Sequence, residues 1–317
     1  MSSLRRTAAC WAAALTLAMP AAAHSDPAGF RFLEIPAGAR ASALGGAYAS
    51  RALGVEAAFW NPAGLAATKG VQIIASHYEF GEGFSHLRFA QFGFAEPMFG
   101  GGGSISLRAQ YSEPISETDD VGNEIGTWGY HGIELAVGYG RDLGQGLSAG
   151  ATTQVVRERI ADASATAWAL NGGMAWEPPA FQRLRLSASI HNLGTSPSFN
   201  KVDDSGGSGE PVKLPAAMQL GASYAIPAGG FEWHPSLESR MTRGRTGIGM
   251  VGLEATHSSG AGLEVGYRMN DETTSLSYGV GFARQAMRFD YAFVPYAFSD
   301  GGSDLGDTHR FSVAFQF

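Results

Sequence analysis

The chain has 317 residues, of which 44 are Gly, and only 16% are charged, against about a quarter charged in ordinary soluble domains. Few charges and abundant Gly argue against a helical bundle or a coiled coil and for a large β-structure with many tight turns. The formal charge is −7, which leaves no cationic footprint for nucleic acid, so no nucleic-acid partner is expected.

Arg5 and Arg6 precede an apolar run over 7–19, and Ala21, Ala22 and Ala23 follow. A basic start, a short apolar stretch and an A-x-A site predict a secretory signal peptide over residues 1–23. The run is shorter than the roughly 20 residues a spanning helix needs. Cys10 is the single Cys and lies inside this segment. The exported chain is therefore expected to carry no disulfide, no thiolate nucleophile and no cysteine metal site.

Residues 24–69 do not read as strands. The stretches 37–49 and 55–60 are Ala-rich and suit short helices, broken at Gly45, Gly46 and Gly54. Asn61-Pro62-Ala63-Gly64 then stops the helix, because Pro pushes the preceding residue out of helical geometry. Two placements follow for this segment. It fills the lumen of a barrel as a hatch, which is the preferred one, or it packs beneath the barrel as a periplasmic arm.

From residue 70 onward the sequence alternates with period 2, the mark of strands with one apolar face. Phe311, Val313, Phe315 and Phe317 point one way while Ser312, Ala314 and Gln316 point the other; Leu263, Val265 and Tyr267 alternate with Glu264, Gly266 and Arg268. Fourteen such runs are expected, at about 71–80, 85–96, 101–112, 131–142, 146–160, 164–177, 181–193, 214–226, 230–240, 247–257, 261–269, 273–283, 286–298 and 308–317. The polar set is rich in Gly, Ala and Ser, as a confined lumen requires, and the apolar set in aromatics, as a lipid-facing band requires. Connections after runs 3, 7 and 13 are long and those after even runs short, the pattern of an outer-membrane barrel with both ends in the periplasm. An open sheet would leave unpaired backbone in lipid, so the expected fold is all-β: a closed, 14-stranded antiparallel transmembrane β-barrel over 70–317. Runs 2 and 10 alternate poorly, since Phe92 and Phe94 break the parity of Leu87 and Phe89, so a bulge or a shifted boundary is expected there.

The inward parity set contains Arg108, Glu134, Arg185, His191, Glu232, His234, Glu238, Arg240, Glu264, Arg268, Arg288 and Asp290. Both signs occur together, as burial demands, so ion-pair ladders are expected to line the lumen. They serve either a selective polar pore or, as preferred here, a braced and plugged barrel.

No catalytic, cofactor or metal residue is assigned. Gly146-Leu147-Ser148-Ala149-Gly150 spells G-x-S-x-G but opens a strand rather than a strand-to-helix turn. Gly138-x-Gly140 lacks the remaining parts of a dinucleotide site, and the eight His show no zinc-like pairing. Asp119, Asp120, Asn123 and Glu124, then Asp203 and Asp204, then Asp300, Asp304 and Asp307 make the long loops acidic. Solvated loop charge accounts for them better than weak Ca²⁺ binding, because no EF-hand spacing is present.

The stretch GARASALGGAYASRALGVEAAFWNPAGLA over 38–66 resembles the N-terminal signature of the PorV/PorQ family of outer-membrane proteins. SIHNLG over 189–194, LPAAMQLGASYAI over 214–226, GLEVGYRMND over 262–271, MRFDYAFVPY over 287–296 and LGDTHRFSVAFQF over 305–317 are similar to the same family. The resemblance implies a barrel related to the FadL long-chain fatty-acid transporters, with Asn61, Pro62 and Gly64 as a hatch motif. It further implies a non-enzymatic role in type IX-like protein secretion or surface anchoring, with secreted proteins or secretion subunits as partners. The alternative is a passive transporter of hydrophobic small molecules. Phe317, ending an aromatic strand, resembles the signal read by the barrel-assembly machinery. Outer-membrane lipid is the remaining expected partner.

Overall fold

A computed structural model of the chain describes residues 29–80, 87–201, 209–271, 274, 276–295 and 307–317. The stretch 1–23 and the acids Asp203, Asp204, Asp300 and Asp304 lie outside the described residues.

In chain order the strands are β1 (Gln72–Glu79), β2 (Arg88–Met98), β3 (Gly101–Tyr111), β4 (Ile115–Thr118), β5 (Glu124–Trp128), β6 (Tyr130–Gly144), β7 (Leu147–Ile160), β8 (Ala163–Trp176), β9 (Leu184–Gly194), β10 (Asn200–Lys201), β11 (Ala217–Tyr224), β12 (Ile226–Ala228), β13 (Phe231–Thr242), β14 (Ile248–His257), β15 (Ala261–Met269), β16 (Leu276–Arg284), β17 (Met287–Val294) and β18 (Thr308–Gln316). Fourteen of these run side by side and antiparallel in the order β1, β2, β3, β6, β7, β8, β9, β11, β13, β14, β15, β16, β17, β18. β18 then pairs with β1 from Gln72↔Gln316 to Glu79↔His309, so the sheet closes on itself. The closed 14-stranded barrel read from the alternation is the fold of the protein.

Alternation sorts the two faces. Ile105, Leu135, Val137, Trp168, Leu263 and Val280 stand exposed on the outside, while Ser104, Ser106, Glu134, Ala136, Gln154 and Ser277 are buried within. Aromatic side chains on the outer face gather toward the two ends. Trp176, Tyr224, Trp233 and Phe315 lie at the short-turn end; Tyr267 and Tyr278 lie at the long-loop end. An apolar outer band edged by aromatics is the surface of a barrel seated in a bilayer. At the short-turn end the backbone N–H of Phe317 donates to Val71 O (2.8 Å), and its exposed ring stacks on Phe315.

The details depart from the sequence expectations in four places. Run 2 has no bulge: β2 pairs β3 without interruption from Arg88↔Tyr111 to Met98↔Gly101. Phe89 breaks the parity because it points inward, stacked on Tyr78 with ring centroids 4.8 Å apart. Run 10 is likewise continuous with its neighbour from Gly249↔Met269 to Thr256↔Gly262, and Met250 is the apolar residue turned inward. Register shifts in the barrel wall fall elsewhere, between Leu170 and Gly172 where β8 meets β9 and between Asp142 and Gly144 where β6 meets β7. Finally, the long loop after β3 is not irregular throughout. It folds as the hairpin β4–β5, with Ile115 opposite Trp128.

The segment before β1 lies inside the barrel. Leu44, Tyr48, Val55, Phe59, Trp60 and Leu65 form its core together with Ile74 and Ala95 of the wall. Its helices are shorter than the Ala-rich stretches. One helix covers only Ala39–Ala43, because Gly45 and Gly46 adopt φ of 64° and 84° and end it. The second stretch begins with a 3-10 turn at Gly54–Glu56 and becomes α-helical over Ala57–Trp60.

Candidate functional site

The lumen and its plug are the site. The plug is fastened to the wall in two places by different physics.

The first is the hatch motif. Asn61 is extended, with φ −156°, so the helix ends there, and its side-chain oxygen accepts from Ala63 N (3.1 Å) to cap a 3-10 helix over Pro62–Ala67. The same side chain donates through Nδ2 to Met174 O (3.1 Å) on β8. This helix presses directly on wall backbone. A Cβ at Gly140 or Gly150 would collide with Pro62 O, one at Gly173 with Asn61 Oδ1, and one at Gly64 with Ala52 O. Small residues on the inner face of β6, β7 and β8 thus form the cradle for Asn61, Pro62 and Gly64.

The second is a buried ion cluster. Glu254 of β14 is fully buried and accepts from Arg40 Nε and Nη2 (both 2.9 Å) and from Arg51 Nη2 (2.5 Å), both Arg belonging to the hatch. Arg288 reaches Glu254 (3.3 Å), Glu264 (3.2 Å) and Asp290 (2.7 Å) from the wall side. Tyr48 donates to Glu56 (2.6 Å). Burial, reinforced by the Glu56 carboxylate and opposed by Arg40, pushes the Tyr48 hydroxyl well above the usual phenol range, so it stays protonated as a donor. Beside the cluster, Glu238 accepts from Ser50 N (2.8 Å), Ser50 Oγ (2.7 Å), Ala49 N (3.1 Å) and Gln219 Nε2 (2.5 Å).

The remaining lumen candidates spread along the wall. Arg108 pairs with Glu134, both buried. Arg268 bonds Gly45 O (2.7 Å) and Asp271 (3.0 Å). His191 is buried beside Ser189 Oγ (2.9 Å). Arg240 faces a small cavity of about 20 Å³ with Arg108, His191, Asn192, Trp60 and Leu33. Two candidates stand apart at the short-turn rim. Arg185 pairs with Glu177 (2.5 Å). Glu232 keeps inward parity, with its side chain 57% exposed and near His234 (3.5 Å).

Sequence reasoning missed the centre of the cluster. Glu254 shares the parity of Met250 and Gly252, and the apolar Met250 obscured that run's inner face. Arg40 and Arg51 are the only two charges between Ala37 and Leu53, which is the signal that could have found them.

Ser148 is the second residue of β7, with its hydroxyl 3.5 Å from Ala175 O, so G-x-S-x-G here is a strand and not a nucleophile elbow. Among the described residues no group of three or more His, Cys, Asp or Glu is placed to hold a metal.

No protein-family model and no curated protein matches the chain. Solved structures do. The toluene transporter TbuX of Ralstonia pickettii aligns with a TM-score of 0.57 at 14% identity, covering 88% of this chain and 98% of that one. The toluene transporter TodX of Pseudomonas putida gives 0.58 at 11% identity, over 87% and 96%. A FadL homologue of Pseudomonas aeruginosa gives 0.57 at 12%, over 89% and 99%. Identities this low carry the fold alone. In fold, the chain is similar to these barrels, with its N-terminal segment in the lumen.

Proposed function

We propose that this outer-membrane barrel is a non-enzymatic passive channel for hydrophobic compounds, closed at rest by its hatch. The observation that carries this reading is an apolar cluster packed inside the lumen. Phe30, Phe32, Leu33, Val156 and Leu214 are buried together against Ala165, Ala167 and Ala169 of β8. A hydrophilic pore has no use for such a cluster, because its lumen must stay wet. The barrel fold shared with two toluene transporters supports the same reading.

The PorV/PorQ reading, with its secretion or anchoring role, keeps one observation. The hairpin β4–β5 projects at the long-loop end with Val121, Ile125 and Trp128 exposed, a surface suited to protein contact. It ranks second because the lumen, not the loops, holds most of the buried and specifically paired groups.

The test is equilibrium binding of radiolabelled toluene and dodecanoate to the purified chain in nonionic detergent, with co-purifying proteins identified in parallel. Saturable binding of either compound supports the channel. Absence of binding, with exported proteins retained through the hairpin and lost when β4–β5 is shortened, supports the secretion role instead.

A further inference from the structure

The outer wall carries a basic patch with no acid to answer it. Arg157 and Arg159 of β7 are exposed and share the outward parity of Thr153 and Val155, while Val156 and Glu158 are buried on the lumen side. Across the ladder, His131 of β6 lies opposite Arg159 and Ile133 opposite Arg157. On the other side, Ser164 and Thr166 of β8 lie opposite the same two arginines. Tyr111 of β3 extends the upper row beyond His131. Paired residues on one face stand about 5 Å apart, and next-but-one residues along a strand about 6.5 Å. Arginine, imidazole and hydroxyl groups thus share one stretch of wall at the long-loop end.

Among the described residues, no carboxylate forms an ion pair with Arg157, Arg159 or His131. Arg157 makes no side-chain hydrogen bond, and Arg159 uses only its Nε, which donates to Ala161 O (2.9 Å). Arg88 of β2 is the contrast. It occupies the same row of the ladder as Tyr111, His131 and Arg159, and it is answered twice, by Glu79 (2.8 Å) and Glu113 (2.7 Å). The chain has 29 acidic residues against 22 basic ones, so a shortage of carboxylates does not explain the difference.

Below the patch the wall is apolar. Leu135 and Val137 of β6 and Trp168 and Leu170 of β8 are exposed on the strands that flank Arg157. The lipid-facing band therefore ends, at its long-loop edge, on these cations. Short turns mark the periplasmic side, so this edge meets the outer leaflet, whose lipid in an outer membrane is a phosphorylated glycolipid. An arginine on the lipid face is strongly destabilising at the midplane and tolerated near the interface, where its head reaches polar groups. A guanidinium matches a phosphate through two parallel hydrogen bonds. The bond from Arg159 Nε to Ala161 O fixes that head and leaves its Nη groups for such a partner.

We propose that this patch is the seat of a phosphorylated glycolipid of the outer leaflet. A phosphate of its head group lies against Arg157 and Arg159, with His131 and the Thr166 hydroxyl at its edge. Its acyl chains run down the wall over Leu135 and Trp168. Cations above an apolar strip suit an amphiphile and not a free phosphate, which would leave the strip unused. The proposal is independent of what the lumen carries: it concerns the outer wall and the lipid that surrounds it.

The experiment uses the full chain in nonionic detergent, with native mass spectrometry as the readout. The probes are diphosphoryl lipid A, the same lipid A with both phosphates removed, and dioleoyl phosphatidylglycerol. The wild type is expected to hold diphosphoryl lipid A about tenfold more tightly than either of the others. Arg157→Gln together with Arg159→Gln should erase that preference, and the corresponding pair of Lys substitutions should keep part of it. Arg157→Gln alone, which removes no contact within the wall, should already weaken it. Arg141→Gln takes away an exposed arginine at the other end of β6 and should leave it unchanged. Heat-modifiable migration on a gel reports that each variant is a closed barrel. Equal retention of the two forms of lipid A, or an intact preference in the double Gln variant, overturns the proposal. So does phosphatidylglycerol bound as tightly as lipid A, which would make the patch a general anionic-lipid surface, and so does loss of lipid A to inorganic phosphate, which would make it a free-phosphate site.

Discussion

The two fastenings of the plug differ in what they require of the wall. Around Asn61–Ala67 the wall must be bare backbone, so that a 3-10 helix can lie on β6, β7 and β8 with almost no side chain between. Around Arg40–Arg51 the wall must present charge, because Glu254 takes both hatch arginines and shares the wall's Arg288 with Glu264 and Asp290 of two other strands. The first contact is steric and insensitive to protonation or salt. The second is a desolvated ion cluster, stable only while complete. A hatch built this way has a seat that stays put and an arm that can be released.

The contrast is broken most severely at Glu254. Glu254→Leu leaves Arg40, Arg51 and Arg288 buried without their shared acceptor, and removing one partner of a buried ion pair costs about 3–5 kcal/mol. Hydrogen exchange should show the loss over 39–56, with the strand ladders still protected. Unchanged exchange in that stretch would mean that the cluster does not hold the arm.

Gly150→Val attacks the other fastening. Its side chain would run into Pro62 O, which is backbone and cannot rotate away. Overpacking of this kind costs about 1–3 kcal/mol, and the exchange increase should appear over 61–69 while the arm stays protected. The two variants should therefore give reciprocal maps; overlapping maps would show that the plug is one cooperative unit. Asn61→Ala is the milder version, removing the cap on Ala63 N and the bond to Met174 O. A lost cap is worth about 1 kcal/mol, so its exchange map should match that of Gly150→Val at smaller amplitude.

How much of this could be read beforehand follows from the range of each interaction. The strands were legible because a barrel wall has a solvent on each side, lipid and lumen, and a period of 2 repeats within a few residues. The hatch motif was legible in part: Pro62 and Gly64 announce a break, but not that Gly140, Gly150 and Gly173 receive it from far along the chain. Glu254 was illegible, since its meaning comes from Arg40 and Arg51 about two hundred positions away. The shift at Leu170/Gly172 was also hidden. There Asn171 accepts from Asn192 N (2.7 Å) and donates to Gln154 (2.7 Å), a side-chain network replacing the ladder locally.

The smallest expected effect lies outside the membrane and serves as the control for the other variants. At the tip of hairpin β4–β5, Asp119 accepts from Asn123 Nδ2 (2.9 Å), Asn123 N (2.8 Å) and Val121 N (3.0 Å). The hydrogen bond from the Asn123 side chain, followed by that from its backbone N–H, holds the Asp119 carboxyl below its ordinary value. A lowered value in the folded turn means that its contribution is complete above the ordinary aspartate range, about pH 4, and fades as the pH falls through the lowered value. The amides of Val121 and Asn123 should then lose protection on acidification, measured against intrinsic exchange rates, and Asp119→Asn should remove that dependence while leaving 61–69 unchanged. A flat profile in the wild type would show that the turn is set by its backbone alone; acid-induced exchange at the hatch seat would show instead that loops and plug are coupled, and that the steric fastening is not independent of charge.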